Sequence, residues 1–202
     1  MVEKQSNSFV THEHDDHFNA ATSKILAEKS KCLFVMPQNC VEKARATGIP
    51  DGRIVVARPR EPLSIRGLDV DPIRAIHGEA KFSVYWYANL EDCGYLLKTG
   101  GKTILQPGDS VLLQDHLFLK HVDVLFFSPT EHNMQVERSV MLINELEPDI
   151  ILPQHRDTYK VTPGNRFWTT AYPYEVKLRL SQALQKNYHV LDMGQRIDVQ
   201  PN

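Results

Sequence analysis

The segment His12-Glu13-His14-Asp15-Asp16-His17 constrains this 202-residue chain more than anything else in it, because it gathers three of the nine histidines into six positions. In an extended backbone, alternate side chains point the same way, so His12 and His14 can ligate one ion from one face of a strand. Asp16 keeps that parity and His17 breaks it. The chain must therefore turn near Asp15 and Asp16, which suits a loop leaving a strand and carries Asp16 and His17 to a second position beside the first. Imidazole nitrogen and carboxylate oxygen are suitable ligands for zinc, manganese or iron, so the segment reads as a metal site.

One ion needs a third protein ligand, and two ions need a bridge and a further histidine. His77 ends the run Asp71-Pro72-Ile73-Arg74-Ala75-Ile76 and precedes Gly78. Asp109 follows Pro107-Gly108, and His155 follows Ile150-Ile151-Leu152-Pro153-Gln154. Each lies at the end of an expected strand, where a sheet edge presents ligands from a rigid base.

The rest of the chain alternates strand-like and helix-like patterns, which predicts one mixed α/β domain over residues 1–202. Ser8 to Thr11 reads as extended, and Asn19 to Lys29 as a helix capped by Asn19, with Ile25 and Leu26 on its apolar side. An apolar run covers Cys32 to Met36, a helix Gln38 to Thr47 and a β-branched run Arg53 to Ala57. Strands are expected at Leu63 to Arg66, Leu68 to Ile76 and Phe82 to Asn89. Cys93 to Thr99 and Lys102 to Gln106 flank Gly100-Gly101, which supplies the positive φ angles of a two-residue hairpin turn. Val122 to Ser128 reads as a buried strand, Met134 to Leu146 as an amphipathic helix and Asp149 to Leu152 as a short strand. Tyr174 to Lys186 reads as a helix and His189 to Val199 as an edge strand.

Composition narrows the partners. Lys and Arg total 23 against 25 Asp and Glu, a formal charge of -2, which argues against binding nucleic acid through bulk positive charge. No apolar run approaches the roughly 20 residues of a membrane span. Residues Met1 to Ser8 show neither the basic start nor the apolar stretch of a signal peptide. The three cysteines, Cys32, Cys40 and Cys93, are an odd set with no CxxC pair, which fits a reducing compartment. A cytoplasmic protein acting on a small-molecule substrate, without nucleic-acid or membrane partners, is expected.

Taken in order, His12, His14, Asp16 and His17, then His77, then Asp109 in Gly108-Asp109-Ser110, and His155 in Leu152-Pro153-Gln154-His155, resemble the metal motifs of the metallo-β-lactamase superfamily. Within it the chain most resembles the L-ascorbate-6-phosphate lactonase branch, through Phe34-Val35-Met36-Pro37, Thr47-Gly48-Ile49-Pro50, Gly94-Tyr95-Leu96-Leu97 and Pro153-Gln154-His155-Arg156-Asp157. The resemblance implies an αββα sandwich with a binuclear site at one end of its two sheets. It also implies that His12, His14 and His77 hold one divalent ion, that Asp16, His17 and His155 hold the other, and that Asp109 bridges them. The ions would be Zn2+ or Mn2+, with the nucleophilic hydroxide between them oriented by Asp16. The implied activity is metal-dependent hydrolysis of a small lactone, ester or phosphorylated metabolite. A rival reading is a non-catalytic metal-binding remnant, or a subunit that a partner completes. The flavodiiron branch usually has a glutamate where this chain has His14, so oxygen or nitric-oxide reduction is not expected.

Other groups are candidates for the surroundings of the same site. His132, in Ser128-Pro129-Thr130-Glu131-His132-Asn133, and Arg156 are candidates for substrate contact. Arg58-Pro59-Arg60 is a further candidate for binding an anion. His116 and His121 read as structural, and Tyr85-Trp86-Tyr87 as strand residues that pack. Several strands precede the histidine loop in the resembled family, whereas eleven residues precede it here. Part of the N-terminal half-sheet is thus expected to be missing, which would leave an edge and an apolar face for a homo-oligomer to cover.

Overall fold

In the computed structural model, which describes residues 6–79, 83–157 and 159–199, the first strand runs straight into the histidine loop. Strand β1 (Asn7–Phe9) pairs in parallel with β2 (Leu33–Pro37), and β2 with β3 (Ile54–Ala57). Parallel neighbours need crossovers, here helices α1 (Ala20–Lys29) and α2 (Val41–Ala46). The Asn19 side chain caps α1 by accepting from the Thr22 N–H at 3.0 Å, as expected of that residue. Helix α2 stops at Gly48, whose φ is +86°. There Gly48 N–H donates to the Arg45 carbonyl and Ile49 N–H to that of Ala44, the paired closure of a glycine-terminated helix.

The second sheet has six strands: β4 (Leu63–Ile65), β5 (Leu68–Arg74), β8 (Cys93–Thr99), β9 (Lys102–Gln106), β10 (Val124–Phe127) and β11 (Ile150–Pro153), in the spatial order β11-β10-β9-β8-β5-β4. Between β5 and β8, strands β6 (Gly78–Glu79) and β7 (Ser83–Val84) form a separate two-stranded ribbon. The β8–β9 hairpin turns through Gly100 and Gly101, at φ +57° and +74°, as their sequence predicts. Helices α3 (Gln114–Leu117), α4 (Gln135–Leu146), α5 (Arg166–Thr169), α6 (Pro173–Leu178) and α7 (Gln182–Lys186) complete the fold.

Strand alternation makes four layers of this. On β2, Phe34 and Met36 pack with Val41 and Ala44 of α2, whereas Val35 faces the other sheet and meets Val70 of β5 and Tyr95 of β8. Across the second sheet, Leu96, Leu105, Leu125 and Ile151 pack outward on Leu142, Ile143 and Leu146 of α4 and on Val176 and Leu184. The order is helices, sheet, sheet, helices, the expected αββα sandwich. The smaller sheet has three strands and carries packed side chains on both faces, so the bare apolar face expected of a shortened half-sheet is not found among the described residues.

Four elements differ from expectation. Ile25 and Leu26 of α1 point to solvent at 58% and 38% exposure; the helix packs through Ala27 instead. The helix expected over Tyr174 to Lys186 is two, because Ser181 is extended and its hydroxyl accepts from Leu184 N–H, capping α7 afresh. No strand forms at His189 to Val199: Asp192 and Gln195 close a turn there, and the pairing ends with a bridge between Ile151 and Tyr188. Of the strand expected over Phe82 to Asn89, Phe82 lies outside the described residues and the ladder stops at Val84, after which Ala88 N–H closes a turn on the Tyr85 carbonyl. Trp86 and Tyr87 are 85% and 78% exposed, so neither enters the core as expected, although the Tyr87 ring meets that of Tyr85 edge to face. Among the described residues no helix is long and apolar enough to cross a membrane.

Candidate metal centre

Every ligand candidate sits where a strand of the sandwich gives out. His12 follows β1, and the chain then tightens into a turn in which the N–H groups of His17 and Phe18 both donate to the His14 carbonyl. That turn swings Asp16 and His17 beside His12 rather than letting them continue the strand. His77 follows β5, Asp109 follows β9 and His155 follows β11. His155 itself has φ +61°, a left-handed conformation that bends the loop back at the ligand.

Two glycines make the convergence possible. A Cβ on Gly78 would lie 1.5 Å from the backbone oxygen of His132, so only glycine lets the His77 and His132 loops touch. Gly108, at φ +70°, would bring a Cβ within 3.0 Å of Thr11, which draws the Asp109 loop against the end of β1.

Six of the seven candidates form two trios, with Asp109 between them. Within His12, His14 and His77, one donor atom from each lies within 4.8 Å of the others; Asp16, His17 and His155 do the same. Asp109 joins His12 and His17 in one further group and His77 and His132 in another. Its Oδ2 lies 3.0 Å from His155 Nε2, 3.3 Å from His132 Nε2, 3.6 Å from His17 Nε2 and 3.7 Å from His77 Nε2. Asp16 Oδ2 is 3.6 Å from the Nε2 atoms of both His17 and His155. Two donors each about 2.1 Å from one ion stand at most about 4.2 Å apart, close to these spacings.

Hydrogen bonding tests whether a cation suits the cluster. The His77 Nδ1 lies 2.8 Å from the Gly78 carbonyl, which can only accept, so that nitrogen carries the proton and Nε2 presents a lone pair. Nε2 therefore faces the Asp109 carboxylate as acceptor to acceptor. His12 Nε2 and Asp109 Oδ1 are buried without a hydrogen-bond partner. A buried lone pair facing a buried carboxylate, as at His77 and Asp109, is costly unless a cation lies between them, and this donor set is one that zinc or manganese takes.

The electrostatics divide the histidines. Burial pushes His12 down to about 2 and His77 to about 4, and it lowers His14 as well. These three are neutral imidazoles, the form that binds metal. Burial also opposes charge on His17 and His155, but contact with Asp109 outweighs it and raises both. Burial alone would raise Asp109; its neighbours His17, His132 and His155 hold it well below the usual carboxylate range instead. The centre thus favours an anion in its middle.

A cavity of about 360 Å³ opens on this cluster. Its walls include Tyr85, Tyr159, Phe167 and Trp168, none of which is expected at the site from sequence. Tyr85 was hidden by its alternation with Tyr87, which suggested a packed strand. The segment from Tyr159 to Trp168 shows no helical or strand period; its one signal was a concentration of aromatics shortly after His155. His132, considered for substrate contact, is 4% exposed and belongs to the cluster itself. Arg156 does not bound this cavity: it donates to the Asp157 carboxylate and the Leu191 carbonyl. Arg58 and Arg60 pair with Glu61 and Asp115. His116 is fully buried and its Nδ1 accepts from Leu113 N–H at the start of α3, while His121 is an exposed partner of Asp149.

Residues 9–155 match the family described as the β-lactamase superfamily domain. The chain belongs to the metallo-β-lactamase superfamily. The superfamily chain is similar to the probable L-ascorbate-6-phosphate lactonase UlaG of Escherichia coli, at 23% identity over 172 residues, covering 74% of this chain and 48% of that protein. It thus spans about half the length of the curated relatives it matches. Among solved structures it is similar to Igni18, a metallo hydrolase from Ignicoccus hospitalis, with a TM-score of 0.71 and 20% identity over 95% of this chain and 78% of that one. It is also similar to Zn2+-bound PqqB from Methylobacterium extorquens, with a TM-score of 0.67 and 15% identity over 96% of this chain and 73% of that one. At these identities the structural likeness shows the fold.

Proposed function

We propose that the chain is a metal-dependent hydrolase of a small lactone, ester or phosphorylated metabolite, holding two divalent ions, Zn2+ or Mn2+. The observation that carries this is the buried Asp109 carboxylate, flanked by a trio of histidines and by a trio of Asp16, His17 and His155. His12, His14 and His77 would hold one ion, Asp16, His17 and His155 the other, and Asp109 both. Ions in such a site supply Lewis acidity and bring the pKa of water toward 7.

The protein's own groups supply position and proton traffic. Asp109 is fixed on its loop and held ionised by the imidazoles around it. Asp16 is more exposed, with 24% of its side chain accessible, and it lines the cavity. Its carboxylate can orient an attacking water and accept its proton. His132 stands against Asp109 and keeps that carboxylate in register.

The test is elemental analysis of protein purified without chelator, followed by turnover of a generic lactone, ester and phosphodiester panel before and after chelation. About two ions per chain, with turnover lost on chelation and restored by zinc or manganese, are expected. Trace metal after reloading would refute the site. Full metal content with no turnover of any member would leave the ligands in place and refute the hydrolase.

A further inference from the structure

The cavity above the cluster has a chemical character of its own, and it points to one class among the substrates just proposed. Tyr85 lies beside two histidines, with ring centroids 5.9 Å from His14 and 5.2 Å from His77. Phe167 stands 6.2 Å from His132, edge to face. The Trp168 ring packs edge to face on Tyr159 at 5.2 Å, while Tyr159 remains 44% exposed. Aromatic faces thus reach from the edge of the cluster out to the mouth.

The charged side chains that line the same space are carboxylates. Asp15, Asp16 and Glu79 line it, and among the described residues no lysine or arginine does. Lys43, on the neighbouring α2, is committed to the Asp15 carboxylate and the Glu13 carbonyl. Arg156, next to a ligand in sequence, is committed to Asp157 and the Leu191 carbonyl. A phosphoryl group carried away from the reacting bond needs a cation or a cluster of N–H donors to replace its water. With Asp16 engaged as a proposed ligand and Asp15 paired with Lys43, the walls away from the ions offer Glu79 and ring faces, which give such a group no partner and welcome a flat apolar one.

We infer that the cavity takes an uncharged ester or lactone bearing an aromatic arm, not a phosphorylated one, with Tyr85, Phe167 and Trp168 forming the seat of the arm. The inference rests on the hydrolase reading for the word substrate, but the seat itself is a property of the walls. At about 360 Å³, the space suits a small ring-bearing ligand and lies at the lower end of typical ligand cavities.

Two measurements test it on the metal-loaded protein. The first compares γ-phenyl-γ-butyrolactone, γ-butyrolactone and 6-phosphogluconolactone as substrates. The phenyl lactone is expected to exceed both others in kcat/KM by at least about tenfold. Trp168→Ala should cut its advantage over γ-butyrolactone at least about fivefold, mainly through KM, with metal content and circular dichroism unchanged. The second needs no turnover. Trp86 is exposed and outside the cavity walls, so Trp86→Phe leaves Trp168 as the fluorescent reporter, and 2-phenyltetrahydrofuran, an uncharged ether that cannot be hydrolysed, should quench it saturably. Saturable quenching without turnover of any of the three lactones would uphold the aromatic seat and strike lactones from its substrates, leaving the hydrolase to the wider panel. Preference for the phosphorylated lactone, or no saturable quenching by the ether, would overturn the inference.

Discussion

Asp109 is the residue on which the centre turns, because four imidazoles converge on one of its oxygens while the other has no hydrogen-bond partner. Asp109→Asn keeps the shape and removes the anion, so turnover should fall at least about 100-fold, together with loss of one or both ions. Near-normal activity in that variant would remove Asp109 from the site. His132→Ala takes away a neighbour of Asp109 that belongs to neither proposed trio, although its ring lies beside His77 and His155. Metal content should stay near two ions per chain while kcat falls; loss of an ion would make His132 a ligand. The legibility of these residues follows from how each signal is written. His12 to His17 are compressed into one segment, so their purpose can be read without the fold. His77, Asp109 and His155 are readable through the strand ends that precede them. His132 has no such spacing, because only the close approach allowed by Gly78 brings it to His77.

At the scale of elements, short-range signals read well and supports that depend on distant partners read poorly. The Asn19 cap, the Gly48 stop and the glycine hairpin are written within a few residues of where they act. The break at Ser181, whose hydroxyl accepts from Leu184 N–H, and the turn that Ala88 N–H closes on the Tyr85 carbonyl are also local, but each interrupts a run whose composition reads as one continuous element. Helix α3 depends on distant partners: four residues long, it is tied to β5 through Asp115, which accepts from Arg74 Nε at 2.8 Å and from Arg60 Nη2 at 2.9 Å. Bonding to Arg74, then to Arg60, overrides burial and brings the Asp115 carboxyl down to about 2. A depressed carboxyl stabilises the fold fully above its unfolded value near 4 and loses that contribution as pH falls through its folded value. Asp115→Asn should therefore lower Tm at pH 6, and the gap to the parent should close between about pH 4 and pH 2. A gap independent of pH, followed by differential scanning fluorimetry, would assign the stabilisation to packing rather than charge.

The whole molecule joins its layers at the cluster. His12, Asp16 and His17 extend from the three-stranded sheet, whereas His77, Asp109 and His155 extend from the six-stranded one. An ion shared by ligands from both sheets would tie together parts of the chain that otherwise meet through the inter-sheet core of Val35, Ala57, Val70 and Tyr95. Binding to the folded chain alone stabilises it by RT ln(1 + [L]/Kd), about 2.7 kcal/mol at a hundredfold excess over Kd. For a chain of this size that is a Tm gain of roughly 5 to 10 °C on adding zinc or manganese to chelated protein. The gain should depend on pH with a defined sign. Without metal, His17 and His155 keep their protons to a higher pH than an ordinary histidine, because Asp109 attracts them. An ion must displace those protons to bind, so the metal-induced rise in Tm should be largest in mildly alkaline solution and shrink as pH falls toward and below about 6.5. His17→Gln and His155→Gln should each flatten that pH dependence while also weakening the ion's hold. A metal-induced rise that is the same at pH 8 and pH 5.5 would mean that the ion binds elsewhere than between the two sheets.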